Sequence, residues 1–342
     1  GGPGAVFWMW AVALLGSSTS FIECTLAQIY KEKDQDTGEY RGGPAYYIEK
    51  AYKHTKAAPF MVVYGIVFAV AMILATSYFL PAIQANAVAA AADTAWGVNS
   101  TWAAVVLAGI LAIIIIGGVK RIANFATIVV PFMAVIYIVI SVVVMCMNFS
   151  QIPEVFGLIF KSAFNMEAGF SGMLGAAIMW GVKRGIYSNE AGQGTGPQSA
   201  AAAEVSHPAK QGFVQSLGVY FDTLIVCSAT AFVILLSNPA YGRGEALGMQ
   251  VTQGALQQAV GAWAGPALTV IIFFLAWSSV LGNTYYGEAN IRYLAGRHAG
   301  PAITVFRVLV LVCVVGGALG SVALVWNLAD TFAALMATIN LV

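Results

Sequence analysis

GVKRGIYSNEAGQGTGPQS, residues 181–199, is polar, charged and glycine-rich, yet it continues directly from the apolar run SGMLGAAIMW, and another apolar run resumes near Gly212. Backbone inside hydrocarbon has no water to bond, so irregular segments at that depth survive only where protein buries them or where they line a cavity. Polar backbone between two apolar runs therefore asks for a functional reason, provided that the flanking runs cross a membrane.

Composition says that they do. The chain has 342 residues, of which 59% are hydrophobic and only 9% charged, and its mean hydropathy is +0.80. A soluble domain carries roughly 25% charged residues, so this is an all-α polytopic membrane protein. Its net charge of +1 argues against nucleic acid as a partner. Cys24, Cys146, Cys227 and Cys313 each stand alone in apolar surroundings, and His54, His207 and His298 lie between apolar runs. Neither set forms a disulfide framework or a metal-ligand spacing.

A membrane-spanning helix needs about 20 apolar residues. Working outward from the polar stretch, nine spans are expected: 5–29, 59–92, 101–118, 123–146, 168–189, 212–236, 264–286, 302–320 and 322–342. The second is long enough to tilt or project. Less apolar segments at 43–53, 152–163 and 245–260 read as short surface or interfacial helices. Frequent glycine and alanine suit helices packed on small residues, and the period-two alternation of a barrel is absent.

Fourteen of the sixteen Lys and Arg residues fall in alternate loops, leaving only Lys161 and Arg243 on the other side. The positive-inside rule then runs the first span from outside to cytoplasm. The chain opens on GGPGAVFWMW without an initiator methionine and stops at TINLV within an apolar stretch. It is expected to be part of a longer protein, with an odd number of spans upstream.

Ionisable residues inside spans are functional candidates because burying them costs several kcal/mol. Asp222 lies near the middle of GFVQSLGVYFDTLIVCSATAFVIL. It is either a structural carboxylate, paired to a neighbouring helix or hydrogen-bonded by Thr223, or a coupling or gating group. Glu23, near the cytoplasmic end of the first span, reads as a gate or helix-end partner. Glu288 and Arg292 are four apart and expected to pair on one helix face. Asp330 is ambiguous. Gln84 and Asn86 lie two apart and so on different faces, one toward a cavity and one toward a neighbouring helix. Ser278, Ser279, Asn283 and Thr284 run along the seventh span, with Ser279 and Asn283 one above the other. Hydroxyls and amide oxygens are the hard ligands a sodium ion takes where broken helices also free carbonyls, and interhelical hydrogen bonding is the rival reading. Gly169, Gly172, Gly175 and Gly181 suit either a local unwinding or close helix packing. GQGTG lacks the Gly-Lys-Ser/Thr ending and preceding strand of a phosphate loop, and Ser188 has no histidine near it in sequence, so neither nucleotide binding nor serine hydrolysis is supported. An embedded enzyme or redox subunit would need a catalytic dyad or haem ligands, and the sequence offers neither; the chain is expected not to be an enzyme and to need no cofactor.

RGIYSNEAGQGTGPQSAAA (184–202) followed by HPAKQGFVQSLGVYFDTLIVC (207–227) closely resembles the signature region of the alanine or glycine:cation symporter family. GGPGAVFWMW (1–10), YRGGPAYYIE (40–49), the Gln84 and Asn86 pair and WNLADTF (326–332) resemble it too, so that the likeness runs through essentially the whole chain. The resemblance implies a leucine-transporter-like inverted-repeat fold, with residues 1–342 as a single transmembrane transporter domain comprising the second to tenth family helices. It implies sodium-coupled symport of a small neutral amino acid (alanine, glycine, serine or glutamine) by alternating access in the cell membrane, with proton coupling as the alternative and a channel behind it. Substrate contacts are then expected from Gln84, Gly172, Met173, Ser279 and Asn283. The sodium ion falls to Ser278 and Ser279, and gating or coupling to Asn189, Glu190, Asp222 and Glu23. Alanine-selective members of the family carry tryptophan where this chain has Asn283, which points to a larger or more polar substrate such as glutamine, or to a broader pocket. On this reading SNEAGQG is the inner gate and the bend into the next helix, and the substrate sits two turns or more earlier, near Gly172.

Overall fold

The protein is described here by a computed structural model covering residues 2–33, 38–116, 118–164, 171–237, 248–296 and 299–341; the side chains of 116–126 and 171–173 are outside the described set. Almost all of it is helix. In chain order these are α1 (Gly4–Tyr30), α2 (Pro44–Ala51), α3 (Ala58–Leu74), α4 (Leu80–Trp96), α5 (Ser100–Ile116), α6 (Gly118–Met147), α7 (Ile152–Ala163) and α8 (Ser171–Asn189). There follow α9 (Gly196–Ala202), α10 (Pro208–Tyr220), α11 (Ser228–Leu236), α12 (Met249–Val260), α13 (Ala264–Ala295), α14 (Ala299–Leu319) and α15 (Val322–Leu341). A two-residue antiparallel ladder, Glu32–Lys33 with Tyr40–Arg41, follows α1.

Seven described helices are long and apolar enough to cross a membrane: 4–30, 58–96, 127–147, 208–236, 264–295, 299–319 and 322–341. Helices also stand at the other two expected spans. α5 is apolar but only 17 residues long, and α8 carries Lys183 and Arg184 among its glycines. α3 and α4 form one 39-residue helix, about 58 Å at 1.5 Å per residue, well beyond a hydrocarbon core of roughly 30 Å. A π-helical turn, Ala75–Phe79, joins them. A second, Phe221–Cys227, joins α10 to α11. Each adds a residue to the helical repeat and leaves the i→i−4 ladder locally broken, a feature frequent at functional sites.

α13 is the core of one packed group, lying against α4, α6 and α14, with α5 beyond. Its buried face includes Trp277, Leu281, Asn283 and Glu288, and the apolar cluster around it draws on α4, α5, α6, α12 and α14. α1 is the centre of the other group, against α8, α9, α10 and α7. α15 packs on α3, α4 and the π-helical turn between them. Leu15, Ile128, Val305 and many other large apolar side chains are exposed on the outside, as lipid-facing surfaces require. Inside, small residues bring backbones together. A Cβ on Gly317 of α14 would lie 2.4 Å from Ala82 Cα and 2.5 Å from its carbonyl oxygen, so α14 and α4 touch there through backbone alone. Asn86 fixes the same crossing, its Nδ2 donating to the carbonyls of Gly317 (3.0 Å) and Gly320 (2.8 Å) at the end of α14. Carbonyls at a helix end have no intrahelical partner, so this is the neighbouring-helix role that the sequence allowed to one of Gln84 and Asn86.

One expected pair does not form. Glu288 is only 3% exposed and bonds Arg307 of α14, Nε to Oε1 at 2.6 Å and Nη2 to Oε2 at 3.1 Å, rather than Arg292. Because α13 is buried along this face, its carboxylate finds a partner across the helix interface; an i, i+4 pair is favoured only on an exposed face.

Candidate functional site

The SNEAGQG stretch is a compact buried turn that stops α8 and holds four other elements. Glu190 takes a left-handed conformation (φ 57°), and its N–H still donates to Ile186 O at 2.9 Å. The chain leaves the helix through Asn189, whose Oδ1 accepts from Ala191 N at 3.0 Å. Gln193 Nε2 returns to the same carbonyl, Ile186 O, as a second donor at 2.7 Å. Gly194 has φ +80°, and a Cβ there would lie 2.6 Å from Pro44 Cγ and 2.7 Å from the Phe68 ring. Conformation and space both demand glycine at that point.

Around this turn the polar side chains converge. Gly192 N donates to Glu23 Oε1 at 3.0 Å. Asn340 Nδ2 donates to Glu23 Oε2 and to Gly192 O, both at 2.9 Å. Tyr47 O–H donates to Asn340 Oδ1 at 2.6 Å. The carboxylate of Glu23, 5% exposed, therefore joins α1, the turn after α8, the end of α15 and, through Tyr47, α2. All four lie at the end of the bundle to which the Lys and Arg count assigns the cytoplasm.

On the other side of the turn, Ser188 Oγ donates to Asp222 Oδ2 and lies 2.9 Å from Cys227 Sγ, while Asn189 Nδ2 donates to Thr223 Oγ1 at 3.1 Å. Thr223 Oγ1 lies 3.5 Å from Asp222 Oδ2. These contacts fasten the end of α8 to the π-helical turn between α10 and α11. All four residues expected to gate or couple, Asn189, Glu190, Asp222 and Glu23, thus meet on or beside one turn.

A second cluster lies beside the same helix. Arg184 Nη2 reaches both oxygens of Asp330 at 2.5 Å, and Lys183 Nζ is 3.8 Å from Oδ2. The guanidinium stacks 4.3 Å from the Trp326 ring centroid and 5.5 Å from that of Tyr187. Tyr187 packs on Trp326 with ring centroids 5.2 Å apart, and its hydroxyl accepts from Gln84 Nε2 at 3.4 Å. Sequence reasoning missed this box of Arg184, Tyr187 and Trp326. Its signal was present in the signature and in WNLAD, but nothing in the spacing said that the two would meet.

The five expected substrate residues are not gathered together. Gln84 lies beside Tyr187, fifteen residues along α8 from Gly172, about 22 Å at helical rise. Gly172 and Met173 are in the first turn of α8 with their side chains outside the described residues, and Gly169 precedes that helix, also outside them. Ser278 and Ser279 both donate to Leu275 O, at 2.7 and 3.3 Å. Their oxygens keep lone pairs with no described donor. Asn283 is 4% exposed and its Oδ1 has no hydrogen-bond partner among the described residues. A buried acceptor without a partner costs about 1–3 kcal/mol, and the side-chain oxygens of Gln253 and Asn290 are in the same state. Also among the described residues, no group of three or more His, Cys, Asp or Glu side chains forms a metal cluster.

Comparison with known proteins matches the sequence of this chain to one family. The model of the sodium:alanine symporter family covers residues 1–342. The chain is 45% identical over its full length to the putative sodium/proton-dependent alanine carrier protein YrbD of Bacillus subtilis (strain 168), covering 72% of that protein. It is 44% identical to the probable sodium/glutamine symporter GlnT of the same organism, again over its full length and 69% of the relative. The sodium/alanine symporter AgcS of Methanococcus maripaludis is 40% identical, with all of this chain and 74% of the relative covered. The turn that stops α8, the helices it ties and the polar residues it gathers belong to a chain that is a member of the sodium:alanine symporter family.

Proposed function

We propose that this chain is the helix bundle of a sodium-coupled symporter of small neutral amino acids, multi-pass in the cell membrane and working by alternating access. Family membership over residues 1–342 is the observation that carries it. Relatives named as alanine carriers and as a glutamine symporter, at 40–45% identity, support that substrate class. Residues 1–342 act as one transporter domain. The grouping of helices around α13 and around α1 is compatible with a leucine-transporter-like inverted-repeat fold, of which the chain supplies the second to tenth helices.

Substrate and sodium are bound together and released together, each favouring the other by linkage. Gln84, Gly172, Met173, Ser279 and Asn283 contact the amino acid at different stages of its passage. The unpartnered Oδ1 of Asn283 supports a substrate with a donor at its far end, glutamine before alanine. Ser278 and Ser279 offer sodium two neutral hydroxyl oxygens whose protons are already given to Leu275 O. The inner gate is the turn at Asn189 and Glu190 with Glu23: opening toward the cytoplasm separates Glu23 from Gly192 and Asn340. A second reading, proton coupling through Asp222, is favoured by the placement of this carboxylate, bonded by Ser188, on a π-helical turn and by a relative named sodium/proton-dependent.

The test is uptake of labelled alanine and glutamine by the full-length protein in proteoliposomes, with sodium or proton gradients imposed separately. Accumulation that depends on sodium supports the reading, and accumulation unaffected by sodium removal overturns it. In the same assay Asn283→Trp is expected to weaken glutamine competition at least tenfold more than alanine competition. An unchanged profile rejects the role given to Asn283.

A further inference from the structure

A groove of about 450 Å³ opens at the foot of α1, α3 and α15, floored by apolar side chains including Leu26, Ile48, Phe60, Met61 and Ile339. Ala51 and Tyr52 line one side, and the chain returns to the other at Phe60. Residues 53–59 connect these two sides. KAYKHTK, residues 50–56, holds three lysines and a histidine, and there is no acid through Phe60. Ala51 to Lys56 are all exposed. Lys50 is engaged with Glu32 at 2.8 Å and Glu49 with the Tyr293 hydroxyl at 2.6 Å; Lys53 and Lys56 make no ion pair with a described residue. An apolar slot at the end of membrane-spanning helices, with unengaged cations in the segment that joins its two walls, matches a molecule with an acyl tail and an anionic head.

We propose that this groove binds an anionic phospholipid of the cytoplasmic leaflet, its acyl chain against Met61 and Ile339 and its phosphate at Lys53 and Lys56. The floor selects a lipid over a soluble anion, and the lysines select an anionic head over a zwitterionic one. Tyr47 and Asn340 also line the groove, and Asn340 is bonded to Glu23 and Gly192. A seated lipid therefore presses on the same side chains that hold the turn after α8.

The experiment is native mass spectrometry of the purified full-length protein equilibrated with equal phosphatidylglycerol and phosphatidylcholine. The wild type is expected to retain phosphatidylglycerol preferentially. Near an anionic headgroup each lysine is worth roughly fivefold in binding, so Lys53→Gln with Lys56→Gln lowers the preference about 30-fold. Ala51→Trp, which fills the slot and keeps the charges, lowers retention of both lipids, and Lys210→Gln, a basic residue of α10 in another loop on the same side of the membrane, changes nothing. If Ala51→Trp does not fold, the lysine pair decides alone. Equal retention of the two lipids by the wild type overturns the proposal. So does a preference that survives loss of both lysines, one that Lys210→Gln lowers as much, or a protein that stays dimeric and lipid-free, which gives the groove to a second copy.

Discussion

Arg184 and Asp330 are the residues on which most depends for their number. One guanidinium nitrogen, Nη2, contacts both carboxylate oxygens while the planar group rests on Trp326 and Tyr187, and the compact ammonium of lysine does not reproduce that stacking. Their side chains are 27% and 16% exposed, so solvent screens the pair only in part. Removing either partner leaves a charge in a largely apolar box, which is costlier than removing both. Arg184→Gln and Asp330→Asn are each expected to lower thermal stability in detergent, and the double variant to recover part of the loss. The cycle should give a coupling of about 1–3 kcal/mol, and additive losses would show that the pair is incidental. Lys183 served in the sequence as a topological charge, and so did Arg184; only the fold gives Arg184 a partner 146 residues away.

The helices themselves were largely written in the hydropathy. α7 spans the expected 152–163, and α14 and α15 start within three residues of expectation, because a run of apolar residues bounded by polar ones has only one economical state in lipid. α13 runs nine residues past the expected end at 286; the spacing of Glu288 and Arg292 predicts a pair on an exposed face there, but the helix stays buried and Arg307 takes up the Glu288 charge. The two π-helical turns left no trace in composition, since they depend on register between packed helices. Their neighbour, the crossing of α4 and α14, is the sharpest test at this level. Gly317→Val should abolish or severely reduce folded yield, since even one added carbon meets Ala82 at 2.4 Å and overpacking costs about 1–3 kcal/mol or more. Gly316→Ala, with open space around it, should be nearly silent. Equal behaviour of the two in size-exclusion chromatography and thermal unfolding would refute the backbone contact.

For the molecule as a whole, charge alone sets the expected orientation, with Glu23, Gly192 and Asn340 meeting at the end assigned to the cytoplasm. Single cysteines report this directly in a background without the native four. A membrane-impermeant maleimide should label Asn99→Cys from outside intact cells, whereas Lys53→Cys should react only after the membrane is opened; the reverse pattern rejects the orientation. What the sequence could not convey was which polar residues meet, since the site is assembled from positions hundreds of residues apart. Glu23 shows what that separation means in time. Its partner Asn340 lies 317 positions later, and at a synthesis rate of about 5–20 residues per second the carboxylate waits roughly 15–60 s on the ribosome before that bond can form. Until α15 enters, Glu23 has the Gly192 N–H as a donor but still lacks Asn340. Chains truncated before Asn340 should be recognised by membrane quality control as unfinished, however well their earlier helices have packed.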